Sequence, residues 1–135
     1  MKISEIARKA EVSTDTVRHY VALGLLIPDR NPENGYQVFS KKDLSQLRFI
    51  REARLLGFRL EDIRMIFADA EKASSPCPRV RSLLTERLRE TRRRIAELTQ
   101  LCERMEKAMT DWQNIPDCVP DGDAVCRLIE SRMTP

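Results

Sequence analysis

Residues 2–26 read KISEIARKAEVSTDTVRHYVALGLL, and their spacing predicts two short helices joined by a tight turn. Ser4 is placed to cap the first helix, and Ser13 to cap a second helix over residues 14–23. Gly24 is a natural end for the second helix. Two such helices form the helix-turn-helix pattern. The alternative is an ordinary small helical domain with polar surface residues.

The second of these helices carries polar side chains beside its core-facing residues. Val17 and Val21 share one face, so the hydroxyls and the guanidinium around them are expected on the exposed side. Such groups suit phosphate oxygens and base edges. The residues predicted to face DNA are Thr14, Thr16, Arg18, His19 and Tyr20.

The following stretch, LLIPDRNPENGYQVFS over residues 25–40, predicts a small wing. Its two prolines forbid a continuous helix. Asn34 followed by Gly35 is a strong hairpin signal, and the Tyr, Val and Phe that follow favour a strand. A two-stranded wing after a helix-turn-helix is therefore expected.

Two more helices are predicted before residue 70. Ser40 and Asp43 have the spacing of a capping box, which would begin a third helix over residues 41–56. Gly57 would end it. A short fourth helix is expected over about residues 60–68, with an apolar face at helical spacing.

Apolar residues recur from position 84 to 112 in alternating steps of four and three, between charged stretches. This pattern is typical of a coiled coil. A helix of about 34 residues would be about 50 Å long. It cannot bury its stripe alone, so we expect a symmetric homodimer with crossing or antiparallel helices. A membrane-surface helix is the alternative, but the stripe is narrow. The predicted dimer contacts are Leu84, Leu88, Ile95, Leu98, Cys102, Met105, Met109 and Trp112.

Four cysteines in 135 residues, with no secretory signal, favour a cytoplasmic protein that uses thiols for metal or redox chemistry. Cys118 and Cys126 enclose the loop VPDGDAV, and two thiolates on one flexible loop can converge on a soft ion. Unpaired small residues or a disulfide are the alternatives. A short terminal helix is expected over residues 124–133, with Asp123 as its cap. Cys77 falls at the start of the long helix, where the helix dipole favours a thiolate ligand. Cys102 falls on the apolar stripe and is expected to pack as a small hydrophobe.

Composition excludes several classes of protein. The formal net charge is only +3, from 24 basic and 21 acidic residues, and 41% of residues are hydrophobic. The chain is therefore not a disordered polyanion, and it has no apolar run long enough for a bilayer. A single His, with no general base near a cysteine, argues against an enzyme, including a small thiol enzyme.

Three segments together resemble the MerR family of bacterial transcriptional regulators: residues 2–26, NGYQVFS at 34–40, and LRFIREARLLGFRLEDIRMIF at 47–67. The resemblance covers essentially the whole chain and points to the metal-sensing branch. It implies a mainly α fold, with a winged helix-turn-helix DNA-binding domain over residues 1–70. A linker and dimerisation helix would follow over 71–113, and a metal-binding loop with a terminal helix over 114–135.

The resemblance also implies how such a protein works and which residues contact DNA. The dimer binds promoter DNA whose spacer is too long, and metal binding distorts the DNA so that RNA polymerase can use it. Gln37 departs from the family, which often has Arg there, and His19 replaces a frequent aromatic. Beyond Thr16, Arg18, His19 and Tyr20, the positions that match family DNA contacts are Tyr36 on the wing and Arg54, a phosphate contact.

The metal itself is predicted from two conflicting features. The loop from Cys118 to Cys126 looks like that of the copper, silver and gold sensors. Cys77 instead matches sensors of zinc, cadmium, lead and mercury, in which the other subunit supplies that ligand. We give Cys77 more weight, because a third thiolate changes coordination number and charge. A soft divalent ion is therefore expected, with copper(I) sensing and thiol redox sensing as alternatives. Three loop carboxylates could add an oxygen ligand, but a solvated acidic loop is the interpretation that we favour for them: Asp117, Asp121 and Asp123.

Overall fold

The computed structural model describes residues 1–133 and confirms a mainly helical fold with a small two-stranded wing. The chain divides into two compact units, Met1–Arg89 and the residues from Glu90 onward. In chain order, the elements are α1 (Ile3–Ala10), α2 (Thr14–Ala22), β1 (Asp29–Arg30), β2 (Gln37–Val38), α3 (Lys41–Leu55), α4 (Leu60–Glu71), α5 (Cys77–Trp112) and α6 (Arg127–Glu130).

The helix-turn-helix is formed by α1 and α2. Glu11 ends α1 in the left-handed conformation, with φ 58°, and so turns the chain sharply. Ser13 then caps α2 as predicted, because its Oγ atom accepts the backbone N–H of Thr16 at 3.0 Å. The cap fixes the start of the exposed helix.

The predicted cap at Ser4 is wrong. The backbone N–H groups of Glu5 and Ile6 both donate to the carbonyl of Lys2 at 3.1 Å, so α1 begins at Ile3. Ser4 therefore lies inside the first turn, and no side chain caps α1.

The wing forms as the Asn-Gly signal predicts. β1 and β2 pair antiparallel, with Arg30 directly opposite Gln37. The connection turns at Gly35, whose φ is 73°, and the Asn34 side-chain oxygen accepts the N–H of Tyr36 at 3.0 Å. A glycine takes this left-handed conformation without steric cost. The turn leaves Tyr36 well exposed at the tip.

The hydrophobic core of the first unit gathers one face of each of the first four helices. Val80, Leu83 and Leu84, from the first two turns of α5, pack against its edge. Burying these apolar side chains supplies most of the driving force for folding this unit. Its largest fully buried side chains are Phe39, Ile6, Leu26, Leu47, Ile50, Ile63 and Val17.

The third helix begins and ends as predicted. Ser40 Oγ accepts the N–H of Asp43 at 3.1 Å, and Asp43 Oδ2 accepts the N–H of Ser40 at 2.8 Å, which completes a capping box. Gly57, with φ 94°, follows α3 and turns the chain toward α4. α4 extends to Glu71, three residues beyond the predicted end.

Two arginine–aspartate pairs hold α4 against the first part of α5, and we call them the α4–α5 clamps. In the buried clamp, Arg87 Nε lies 3.0 Å from Asp62 Oδ2, and Nη2 lies 3.3 Å from Oδ1. In the outer clamp, Arg79 Nε lies 2.5 Å from Asp69 Oδ2, and Nη2 lies 3.3 Å from Oδ1. Each arginine presents two donors to one carboxylate, a geometry that fixes both position and orientation.

The outer clamp predicts a contribution to acid sensitivity. The hydrogen bond from Arg79, aided by its charge, outweighs desolvation and holds the pKa of Asp69 below its ordinary value of 3.8. Because the folded-state pKa lies below the unfolded one, the contribution is complete above pH 3.8 and is lost as pH falls through the folded pKa. We expect Asp69→Asn to show a smaller drop in melting temperature than wild type between about pH 6 and about pH 3. Asp111→Asn, at an exposed pair with Lys107, is the control. An unchanged drop in Asp69→Asn would contradict the assignment.

The fifth helix is one continuous helix of 36 residues, as the heptad pattern predicts. None of the helices within residues 1–133 is long and apolar enough to cross a membrane.

The predicted terminal helix over residues 124–133, capped by Asp123, is wrong in its bounds. Instead, Ala124 N–H donates to the carbonyl of Asp121 at 2.9 Å, in a turn that Gly122 makes with φ 58°. α6 starts only at Arg127, with Cys126 as its N-cap residue. The Asp-Gly turn includes Ala124, the first residue of the predicted helix.

Candidate functional site

Four of the five α2 side chains predicted to face DNA are at least partly accessible. Arg18 and His19 are exposed, whereas Thr14 and Thr16 are half-buried. The Arg18 Nη1 atom lies 2.9 Å from Asp15 Oδ1 in an exposed ion pair. Exposed pairs contribute little stability, so this guanidinium can exchange its carboxylate for a phosphate at small cost.

Tyr20 differs from the prediction that placed it on the exposed side. Only 9% of its surface is exposed, and it belongs to the core cluster. It follows Val17 by three residues, and side chains three apart share a helix face. Its ring also lies against that of His19, with ring centroids 5.9 Å apart. Tyr20 therefore packs on the core side of α2 and helps to fix the helix in place.

A cleft between α1, α2 and the wing collects three cations and an aromatic hydroxyl. Lys2, Arg18 and Arg30 line it together with Tyr36, whose side chain is 67% exposed. Arg30 Nη1 donates to the carbonyl of Gly35 at 3.0 Å, which holds the guanidinium beside the wing turn. We call this surface the wing cleft; its lining residues are Lys2, Ile3, Ser4, Arg18, Arg30, Gly35, Tyr36 and Gln37.

Sequence reasoning missed Lys2 and Arg30. The hairpin register carries a signal for Arg30, because residues directly opposite on paired strands project to the same side of a sheet. Arg30 lies opposite Gln37, the wing position where the sequence departs from the MerR pattern by lacking Arg. Arg30 on β1 therefore supplies the wing cleft with the guanidinium that Gln37 on β2 lacks.

Arg54, the predicted phosphate contact, lies at the end of α3 and is exposed. Its Nη1 atom donates to the carbonyl of Phe58 at 3.0 Å. Phe58 itself is buried, so this bond ties the guanidinium to the turn between α3 and α4. One side of the guanidinium is used for this bond, and the remaining donors are available to an anion.

In the second unit, Cys118 and Cys126 line one cavity of about 370 Å³. Cys118 is exposed and Cys126 half-buried, and both are free thiols. The Asp121–Ala124 turn brings the two ends of the loop toward this cavity. Asp121 also lines it, along with Arg127. Two thiols on one concave surface are a donor set that fits a soft metal ion.

The backbone of Cys126 is fixed by Glu130, which sequence reasoning did not single out. Glu130 Oε1 accepts the N–H of Cys126 at 2.5 Å and that of Val125 at 2.7 Å. The N–H of Glu130 in turn donates to the carbonyl of Cys126 at 3.0 Å. A Glu four residues after a Cys at a helix start could have suggested this contact.

The other two cysteines lie elsewhere. Cys77 is the first residue of α5, in the first unit, and is exposed; its N–H donates to Ser75 Oγ at 3.3 Å. Cys102 is exposed on α5, so its predicted packing requires a partner chain. Within residues 1–133, no three or more His, Cys, Asp or Glu side chains are grouped to hold a metal ion. The loop thiols are thus the pair that this chain brings together.

The apolar stripe of α5 is largely uncovered in the single chain. Leu84 is half-buried against the core of the first unit, and Trp112 is half-buried at the other end of the helix. The indole Nε1 of Trp112 is buried with no hydrogen-bond partner among the described residues. Between these ends, the predicted dimer contacts are exposed by about half: Leu88 48%, Ile95 58%, Leu98 53%, Met105 57% and Met109 65%.

Comparison with known proteins decides the family. The family model described as MerR HTH family regulatory protein matches residues 1–70, and the model described as MerR, DNA binding matches residues 44–108. The chain belongs to the MerR family. It is therefore a transcriptional regulator with a MerR-type DNA-binding domain.

Individual relatives cover most of the chain. The HTH-type transcriptional regulator ZntR of Escherichia coli strain K12 is 35% identical over 78% of this chain and 76% of its own length. CueR of Salmonella typhi is 31% identical over 97% of this chain and 91% of its own length. The structure of MerR from Bacillus megaterium MB1 in complex with mercury(II) has a TM-score of 0.62 and 27% identity, and the match covers 99% of this chain and 100% of that one.

Proposed function

We propose that this MerR-family protein is a homodimeric regulator that responds to a soft divalent metal ion at a promoter. The observation that carries the proposal is the shared cavity of Cys118 and Cys126, in a chain that also has a free Cys77 at the start of α5. The similarity to a MerR protein whose structure contains mercury(II) supports a soft ion as the effector.

The proposed DNA contacts follow from the geometry of the first unit. Arg18, His19, Thr14 and Thr16 would enter the major groove with α2. Arg30 and Tyr36 of the wing cleft would contact the backbone beside it. Lys2 and Arg54 would add positive charge that attracts phosphates. Tyr20 would act indirectly, by packing its ring against the core and so fixing the position of α2. Phosphate contacts of this kind set the position of the protein and make binding depend on salt.

The proposed homodimer follows from the uncovered stripe of α5. Pairing two copies would bury the exposed leucines, isoleucine and methionines of the stripe. Each Å² of apolar surface buried in this way stabilises the dimer by about 25 cal/mol. A symmetric dimer also presents two copies of α2 to successive turns of DNA. We propose an antiparallel arrangement, which places the start of one α5 near the end of the other.

In this arrangement Cys118 and Cys126 of one subunit and Cys77 of the other would hold the metal ion. A bound ion supplies a positive charge that neutralises and joins the thiolates. Joining the loop of one subunit to α5 of its partner would favour one arrangement of the two DNA-binding domains. We propose that this arrangement bends and untwists an overlong promoter spacer and so presents it to RNA polymerase.

Two alternatives use the same residues. Copper(I), silver(I) or gold(I) would need only Cys118 and Cys126, because such ions accept two thiolates in a line. A thiol redox switch would join the same two cysteines in a disulfide after oxidation by a peroxide or a disulfide. Both alternatives are favoured by the cavity that the two free thiols share, and neither uses Cys77.

Cys77→Ser distinguishes these possibilities. We expect the substitution to weaken cadmium(II) binding to the reduced dimer by at least about 10-fold, since a ligand of the ion is lost. Copper(I) affinity should be unchanged, because two thiolates remain. The measurement is a competitive titration with copper(I), zinc(II), cadmium(II), lead(II) and mercury(II), read from thiolate charge-transfer absorbance.

Cys102→Ala is the matched control, because it removes a free thiol with no proposed ligand role from the same helix and keeps a small apolar side chain at this position of the proposed dimer seam. Tight copper(I) binding with equally weak divalent binding in wild type and Cys77→Ser would establish the monovalent alternative. Activation by oxidant without metal would establish the redox alternative.

A further inference from the structure

We infer that Glu130 is a positioning residue for the metal-binding loop, holding Cys126 in the orientation that a metal ion requires. The inference rests on the proposed metal function of Cys118 and Cys126. Glu130 lies in the first turn of α6, four residues after Cys126.

The contacts of Glu130 enclose the backbone of Cys126 on both sides. Its side-chain Oε1 accepts the N–H groups of Cys126 and Val125, and its own N–H donates to the carbonyl of Cys126. Hydrogen bonds from N–H groups to a carboxylate are stronger than those between neutral groups. Both backbone groups of Cys126 are therefore satisfied by one residue, and the Cα–Cβ bond that carries its sulfur has a fixed direction.

The two loop cysteines differ in this respect. Cys118 lies outside the helices and strands, and its thiol donates a weak hydrogen bond to the carbonyl of Pro116 at 3.5 Å. Cys126 is the prearranged ligand, and Cys118 the ligand that adjusts to the ion. A ligand fixed before binding loses less conformational entropy when the ion binds.

Glu130 also lines the same cavity as the two thiols, so its charge could act on the ion directly. The two effects separate on substitution. Glu130→Gln would keep an oxygen that accepts both N–H groups and would lose only the charge, whereas Glu130→Ala would lose both. Positioning therefore predicts that Glu130→Gln behaves as wild type, and that Glu130→Ala does not.

The test is a competitive cadmium(II) titration of the reduced full-length protein and its Glu130→Ala and Glu130→Gln variants. We expect Glu130→Ala to bind about 10–100-fold more weakly, as is usual when the partner of a metal ligand is removed. Glu130→Gln should remain within about 3-fold of wild type. The sulfur-to-cadmium charge-transfer band should weaken and shift in Glu130→Ala alone, because it reports the geometry of the thiolates. Glu103→Ala, at an exposed position of α5, is the matched control.

A second measurement distinguishes a folding defect in the variants from a change in the geometry of the metal site. The metal-free affinity for promoter DNA should be the same in all four proteins, because α6 lies outside the first unit. Wild-type affinity for cadmium(II) in Glu130→Ala would overturn the inference while leaving the metal site intact. Equal loss in Glu130→Ala and Glu130→Gln would overturn it in favour of a charge effect. Absence of cadmium binding by wild type, with copper(I) also unbound, would overturn the proposed function together with the inference.

Discussion

Replacement of Asp62 by alanine is expected to destabilise the first unit by about 3–5 kcal/mol, the usual cost of removing one partner of a buried ion pair. The Asp62 side chain is 3% exposed, and that of Arg87 is 15% exposed. The substitution removes both oxygens that receive the Arg87 guanidinium. It also removes the acceptor of the Arg59 N–H, at 2.9 Å, which caps α4. The free energy of unfolding measured by urea denaturation checks the prediction.

Asp62→Asn is the informative companion variant. The asparagine oxygen can still accept the N–H of Arg59, so the cap is retained while the charge pair is lost. We therefore expect its destabilisation to lie between wild type and Asp62→Ala. Asp69→Ala removes the corresponding carboxylate of the outer clamp, where solvent screens the pair, and should cost less. A loss below about 1 kcal/mol in Asp62→Ala would mean that the buried clamp is replaceable by water.

The clamps hold the first turns of α5 against α4. The start of α5 carries Cys77 and cannot pack alone, because its first apolar residues merely reach the edge of the core. Arg79 and Arg87 are eight residues apart on α5, and their partners are seven apart on α4. Two such ties prevent rotation of one helix about the other.

Local signals in the sequence are reliable guides to the elements. Ser13, the Ser40 and Asp43 box, and the Asn34–Gly35 pair each act through atoms within three residues of themselves. Their hydrogen bonds form in the structure as their spacing predicts. The continuous helix that the heptad pattern predicts is confirmed for the same reason, since periodicity along one helix is a local property.

Contacts between distant residues are not accessible to the same reasoning. Asp62 and Arg87 are 25 residues apart, and nothing in their local sequence indicates that they pair. The prediction that Tyr20 lies on the exposed side of α2 is wrong. The three-residue spacing from Val17 turns its ring toward the core, although its hydroxyl is polar. The predicted bounds of α6 are wrong because the Asp-Gly turn and the Glu130 contact compete with helix formation. The cavity that Cys118 and Cys126 share agrees with the expected convergence of the two loop thiols. The third ligand that we propose, Cys77, would come from a second chain.

The double substitution Ile95→Glu with Leu98→Glu is expected to convert the proposed dimer to monomers. Both side chains are more than half exposed in the single chain, so the substitutions leave the folded monomer intact. In the dimer they would place four carboxylates in the apolar seam, and burying unpaired charge there costs several kcal/mol. At about 1.4 kcal/mol per factor of ten, association should weaken by at least about 1,000-fold. Sedimentation equilibrium at micromolar concentration measures the change directly.

Arg93→Glu provides the matched control. It lies on the same helix between two stripe residues, is exposed, and changes the charge of the chain by −2, as the double substitution does. Its heptad position faces away from the stripe, so the dimer should persist. If both variants dissociated alike, general repulsion between chains would be the cause. If the double variant remained dimeric, the seam would lie elsewhere, and a metal site shared between Cys77 and the loop of the partner would lose its geometric basis. Monomers that retain the helicity of wild type but lose high-affinity promoter binding would instead link the α5 stripe to the two-fold recognition of DNA.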